Sequence, residues 1–116
     1  MKKATLLDAV PATSDQTSVW YDLGEQKAYA IVCALSGVDV KGTMSLEACV
    51  GSDNPNTDAS AVYAAIPNSS QAVDNSTDVV YNVDGAGYRW VRVKWLKDSG
   101  TGNLTAKIEV KEPNRM

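Results

Sequence analysis

The 116-residue sequence contains no histidine, the side chain that proteins use most often as a general base and as a zinc ligand. Catalytic arrangements in which histidine activates a serine or a cysteine are therefore excluded. The acidic residues are scattered through turns, and no spacing among them indicates a catalytic carboxylate pair. We therefore expect a protein that is not an enzyme and that needs no metal or other cofactor.

The sequence also lacks an excess of positive charge, because 11 Lys and Arg residues against 14 Asp and Glu residues give a net charge of −3. Nucleic-acid-binding proteins usually carry a positive surplus, so no nucleic-acid partner is expected. No segment approaches the roughly 20 apolar residues of a membrane span. The apolar stretch at residues 4–7 is also shorter than the about 7–15 residues of a secretory signal. These features predict a protein that is made in the cytoplasm and does not enter a membrane.

Cysteine is scarce, and neither Cys33 nor Cys49 belongs to a CxxC motif. The two residues lie on neighbouring predicted strands, so a disulfide between them is sterically possible. In a reducing compartment the default interpretation is two free thiols packed as small hydrophobic groups.

The segment DNPNTD (residues 53–58) gathers four Asp and Asn side chains, whose oxygen atoms calcium would accept. It departs from the EF-hand pattern, because Pro55 and Thr57 occupy the third and fifth positions and the glycine is missing. Asn and Asp side chains usually bind their own backbone in such turns, so a plain turn is the favoured interpretation.

No helical periodicity extends beyond two turns, and period-2 alternation dominates. The predicted strands are residues 3–7, 17–23, 28–35, 43–50, 61–67, 78–83, 88–96 and 104–111, with one brief strand around Ala72 and Val73. Polar turns separate them, and residues 51–60 form the most polar of these connections. Short strands at this spacing predict an all-β protein, an antiparallel β-sandwich of about eight strands with a jelly-roll-like arrangement. The chain (1–116) is interpreted as a single domain with short flexible N- and C-terminal ends.

The segment GAGYRWVRVKW (residues 85–95) has the most distinctive pattern of the sequence. Alternation directs Val91, Val93 and Trp95 toward the core and the other row of side chains outward. With Trp20, which falls on the polar face of its own strand, the outward set is Trp20, Tyr88, Trp90, Arg92 and Lys94. Because Trp, Tyr and Arg anchor protein interfaces, we interpret this set as a candidate partner-binding surface.

Two other interpretations of these aromatic residues stay open at the level of the sequence. Trp90 could pack beneath a loop or at the edge of the sandwich, which would make it structural. Tyr88 and Trp90 could instead stack on sugar rings, as in a carbohydrate-binding domain of a virion or fibre protein that contacts host glycans.

Several segments together resemble the small jelly-roll decoration proteins, also called cement or staple proteins, of short-tailed bacteriophages. They are ATLLDAVPAT, VWYDLG, SLEACVGSDN, YAAIPNSS, and NVDGAGYRWVRVKW followed by SGTGNLTAKIEV. The resemblance implies a non-enzymatic protein that binds the major capsid protein on the outer surface of the mature shell and stabilises it. It also implies a homo-oligomer, with a dimer favoured. It offers no catalytic or contact residues that could be transferred to this sequence.

Overall fold

The computed structural model describes residues 2–111, and this part of the chain consists of β-strands and connections without a helix. The eight strands are β1 (Lys2–Pro11), β2 (Gln16–Thr17), β3 (Tyr21–Asp22), β4 (Ala28–Cys49), β5 (Tyr63–Ala65), β6 (Gln71–Val73), β7 (Val79–Val83) and β8 (Trp90–Lys111). Every strand pairing is antiparallel. The predicted all-β fold is confirmed. The expected flexible C-terminal end, residues 112–116, lies outside the described residues, whereas the N-terminal segment is paired with β8 from Lys2 onward.

Two strands of 22 residues each, β4 and β8, pair with each other along their whole length. A straight strand of that length would span about 70 Å, because each residue adds about 3.3 Å. The longest dimension of the molecule is 44 Å, so both strands must bend. The register shifts between Val38 and Gly42, where Asp39 has a φ of 54°. We call residues 36–42 of β4 and 97–103 of β8 the bend.

The bend corrects the predicted strand boundaries. The sequence indicated turns at both of its segments and therefore four separate strands. Instead the two segments pair with each other, for example Ser36 with Asn103 and Gly37 with Gly102. Glycine permits this close approach, because a Cβ on Gly37 would collide with the carbonyl oxygen of Thr101 and one on Gly102 with that of Ser36.

Because both long strands bend, one continuous sheet supplies both layers of a sandwich. Layer A contains β1, the C-terminal half of β8, the N-terminal half of β4, and β7. Layer B contains β2 and β3, the N-terminal half of β8, the C-terminal half of β4, and β5 and β6. The predicted antiparallel β-sandwich is thus built from a single folded sheet.

The core lies between the two layers, and the bend changes which side chains face it. In β4 the inward residues have odd numbers before the bend and mostly even numbers after it, and β8 shows the same switch. An offset of one residue at an irregular position exchanges the two faces of a strand, which explains the switch. The predicted core residues Val91, Val93 and Trp95 are confirmed, since each is fully buried.

Both cysteines are buried free thiols, which confirms the default interpretation and excludes the disulfide. Cys33 lies in the main core and Cys49 in a separate small cluster. Burial raises the pKa of the Cys33 thiol to about 12, so this group stays protonated and unreactive near neutral pH.

Candidate functional site

The outer face of layer B carries a second hydrophobic cluster, which consists of Trp20, Cys49 and Trp90. Strand register brings it together, because Cys49 of β4 lies opposite Trp90 of β8. Trp20 and Trp90 are each only 6% exposed. The prediction that these two tryptophans belong to an exposed outer surface is therefore wrong, and the alternative that Trp90 packs beneath a loop is correct.

The loop of residues 51–60 covers the two tryptophans. Asn56 accepts a hydrogen bond from the backbone N–H of Trp20 (2.8 Å) and donates one to the Trp20 carbonyl oxygen (3.1 Å). The indole N–H of Trp90 donates to the carbonyl oxygen of Ser52 (3.1 Å). The amide of Asn56 thus binds the backbone as a neighbouring strand would. The sequence could not indicate this, because a polar segment does not reveal which distant backbone its side chains will bind.

Three of the four side chains considered for calcium, Asn54, Asn56 and Asp58, accept hydrogen bonds from the protein itself. The Asp58 carboxylate accepts hydrogen bonds from the hydroxyls of Ser52 (2.9 Å) and Ser60 (2.7 Å). These bonds lower the pKa of Asp58. Within residues 2–111, no three acidic, cysteine or histidine side chains converge as a metal site would require. The segment forms turns that its own Asn and Asp side chains stabilise by hydrogen bonds, as its composition indicates.

Arg92 occupies the centre of this face. Its guanidinium carbon lies 4.3 Å from the ring centroid of Trp20 and 4.3 Å from that of Tyr63. Its Nε donates to Oε1 of Glu47 at 2.8 Å, and these two side chains are 17% and 8% exposed. The Trp20 and Tyr63 rings meet edge to face with centroids 5.6 Å apart. We call Trp20, Glu47, Tyr63 and Arg92 the arginine clamp, because the guanidinium fixes both rings and the carboxylate at once.

A second ion pair flanks the cluster. Nε and an Nη atom of Arg89 each donate to a carboxylate oxygen of Asp22 at 2.8 Å, in a bidentate arrangement. The hydrogen bonds from Arg89 lower the pKa of Asp22. The Arg89 guanidinium also lies 5.1 Å from the ring centroid of Trp90. Protein groups therefore surround Trp90, and its ring is not available to stack on a sugar.

The other two predicted site residues lie outside the clamp. The hydroxyl of Tyr88 hydrogen-bonds to that of Tyr29 (2.5 Å), and the half-buried Tyr88 packs against the main core. Tyr88 and Trp90 do not form the paired stacking surface that the glycan interpretation required. Lys94 is half-buried on β8 two residues beyond Arg92, opposite Ser45 of β4. Of the five predicted residues, the structure brings together Trp20, Trp90 and Arg92.

An uncharged apolar surface adjoins the clamp, with which it shares Tyr63, at the edge of layer B that β5 forms. Val62, Val50 and Tyr63 are 80%, 60% and 50% exposed. With Pro67 and Tyr88 they belong to the ten residues, none of them charged, that line a shallow groove of about 410 Å³. We call Val50, Val62, Tyr63, Pro67 and Tyr88 the edge patch.

Sequence reasoning missed most of the edge patch, because AVYAAIP (residues 61–67) was interpreted as an ordinary strand. In the structure only Tyr63–Ala65 is strand, and it pairs with β4 alone. The available signal was an apolar segment without a charge that a proline ends after a few residues, which is typical of a sheet edge.

Comparisons with known proteins reveal a similarity of fold. No known family profile matches the sequence, and no curated protein sequence is significantly similar to it. The fold is similar to that of the SPBc2 prophage-derived protein YomS, with a TM-score of 0.59 and 20% sequence identity. The similarity covers 94% of this chain and 90% of that chain. In the described part of the chain, no helix has the length and apolar character needed to cross a membrane.

Proposed function

We propose that this protein is a non-enzymatic structural protein of a bacteriophage virion, which binds the outer surface of the mature capsid and stabilises it. The observation that carries the proposal is the edge patch. An exposed apolar surface without charge is the kind of surface that binds another protein. The similarity of fold to a prophage-derived protein supports a phage origin. The sequence resemblance to decoration proteins supports the capsid as the place of binding.

In this proposal the partner is the major capsid protein, and Tyr63 is the central anchor of the contact. Its ring is half exposed, while Arg92 holds it from below. A side chain that is fixed before binding avoids an entropy cost of about 0.5–1.5 kcal/mol that a mobile side chain would incur. The clamp therefore presents Tyr63 in an orientation that suits binding, although Trp20 and Arg92 themselves are largely covered.

The edge patch is small, so each contact with a capsid subunit is weak. A symmetric shell presents many equivalent sites, and symmetry-related binding gives avidity without a strong single contact. The net charge of −3 suits a position on the outside of the shell, away from packaged DNA. The protein would be made in the host cytoplasm and would bind there to the outer surface of the assembled shell.

Co-sedimentation with expanded shells that lack this protein, taken from the phage that encodes it, tests the proposal. We expect saturable binding, with a copy number comparable to that of the capsid subunit. Val62→Asp should weaken binding at least tenfold, because an aspartate buried in an apolar interface loses its hydration. Val38→Asp is the matched control, because Val38 is a similarly exposed valine (74%) that lies at the bend.

The results test two claims separately: that the protein binds the capsid, and that the edge patch is the contact surface. If the wild-type protein stays in the supernatant at every concentration, capsid binding is wrong. If the wild-type protein binds and Val62→Asp binds equally well, the edge patch is not the contact.

A further inference from the structure

The outer face of layer A is apolar along its centre. The strand segment 28–35 is apolar on both faces, a pattern typical of a central buried strand. It is central in layer A, but only its odd-numbered side chains lie in the core. Ala30, Val32 and Ala34 face outward, and Val80 of β7 lies opposite Val32. Val32 is 45% exposed and Val80 65% exposed, which leaves an apolar strip on the surface.

Charged side chains lie on β8, directly beside this strip. Lys107 is opposite Val32, and Glu109 is opposite Ala30. On the other side of β8, Lys3 of β1 is opposite Glu109. These residues, together with Thr5, line a groove of about 490 Å³. Lys111 donates a hydrogen bond to Asn82 of β7 at 3.1 Å, and this contact crosses β4 at one end of the strip.

This arrangement is complementary to itself. Consider a two-fold axis that lies in the plane of the interface, runs across the strands, and passes midway between Lys107 and Glu109. This axis places Lys107 of one copy opposite Glu109 of the second copy, and Glu109 opposite Lys107. The same axis places Val32 opposite Ala30 of the second copy, so that a larger side chain meets a smaller one. An interface between identical copies requires this kind of self-complementarity.

The area of the face is sufficient for a weak dimer. Four strands about 4.8 Å apart and seven residues of about 3.4 Å each give a face of roughly 20 by 24 Å. Two such faces bury on the order of 1,000 Å², which is at the low end of specific interfaces. The dimer should therefore depend on protein concentration.

We infer that the outer face of layer A binds a second copy of this chain, with Lys107 of each copy paired with Glu109 of the other. The resemblance to decoration proteins implies a dimer but offers no contact residues; this inference assigns the contact surface, and it does not rest on the proposed function. The edge patch belongs to layer B, so it stays free in such a dimer.

Sedimentation velocity of the purified full chain, at about 1–500 µM in low-salt buffer where ion pairs are least screened, tests the inference. We expect a reversible monomer–dimer equilibrium. Lys107→Glu and Glu109→Lys should each raise the dissociation constant at least tenfold, because each change creates two like-charge contacts across the axis. The double variant K107E/E109K should return to within about threefold of the wild type, because it restores both pairs in reversed order.

Lys94→Glu is the matched control, because Lys94 lies on the same strand but on the outer face of layer B; it should leave the dissociation constant unchanged. Circular dichroism verifies that every variant is folded. A wild-type protein that is monomeric at all concentrations overturns the inference, and so does a dimer that the double variant fails to restore. Because the measurement uses no capsid, its result is separate from that of the co-sedimentation experiment.

Discussion

Arg92 shows how one residue links the stability of the protein to its candidate binding surface. Its guanidinium contacts the rings of Trp20 and Tyr63 and binds the buried carboxylate of Glu47. In the sequence, Arg92 is one of two cations, with Lys94, in the row of side chains predicted to face outward. We predicted Arg92 to be a site residue from the alternation of side chains along β8. Its contacts, however, are with Trp20 and Tyr63, which lie far from it in the sequence. No local pattern contains that information.

Replacement of Arg92 by alanine should lower the free energy of unfolding by about 3 kcal/mol, because Glu47 would stay buried without its cation. Urea denaturation measures the change. Simultaneous replacement by Arg92→Met and Glu47→Leu should cost less than Arg92→Ala alone, because no charge is then left buried. Lys94→Ala serves as the control and should change the free energy of unfolding by less than about 0.5 kcal/mol. Equal effects of Arg92→Ala and Lys94→Ala would contradict the role of the clamp.

Among the elements, the bend is the feature that sequence patterns describe least well. Glycine and polar residues at 36–42 and 97–103 are typical of turns, and they are equally compatible with a strand that changes direction. Only the partner decides between the two, since each segment continues as a strand because the other lies beside it. In contrast, the alternation within 88–96 correctly predicted that Val91, Val93 and Trp95 face the core, because burial of one face imposes period 2 locally.

Replacement of Gly102 by alanine should destabilise the protein by about 3 kcal/mol, because the new methyl group would overlap with the carbonyl oxygen of Ser36 and force the two strands apart. Gly85→Ala is the matched control, since a Cβ at that position meets open space. Its effect should stay within about 0.5 kcal/mol. Equal unfolding midpoints for the two variants in urea would show that the strands do not approach closely at the bend.

At the scale of the whole molecule, the two layers are physically continuous, because β4 and β8 run through both. The sequence predicted the sandwich correctly from its many short alternating segments. It did not predict that one sheet forms both layers, because strand pairing between residues such as Ala28 and Lys111 leaves no trace in local composition. For the same reason it left open whether a loop covers Trp90, and it could not identify residues 51–60 as that loop.

This continuity predicts that the layers unfold together. All three tryptophans, Trp20, Trp90 and Trp95, report on layer B, whereas far-ultraviolet circular dichroism reports on the strands of both layers. The urea midpoints measured by tryptophan fluorescence and by circular dichroism should therefore coincide. A fluorescence transition that precedes the loss of circular dichroism would show that layer B unfolds on its own.

The position of β8 in the chain has a consequence for the time at which the protein acquires its fold. Strands β1, β2, β3 and β4 all pair with β8, which comprises residues 90–111. During synthesis at about 5–20 residues per second, the first half of the chain must wait several seconds for its principal partner to leave the ribosome. Until then only β5, β6 and β7 are present to pair with β4, whose opposite edge stays open. For several seconds the apolar strand β4 therefore has an unpaired edge, and a chaperone would bind the nascent chain during this time.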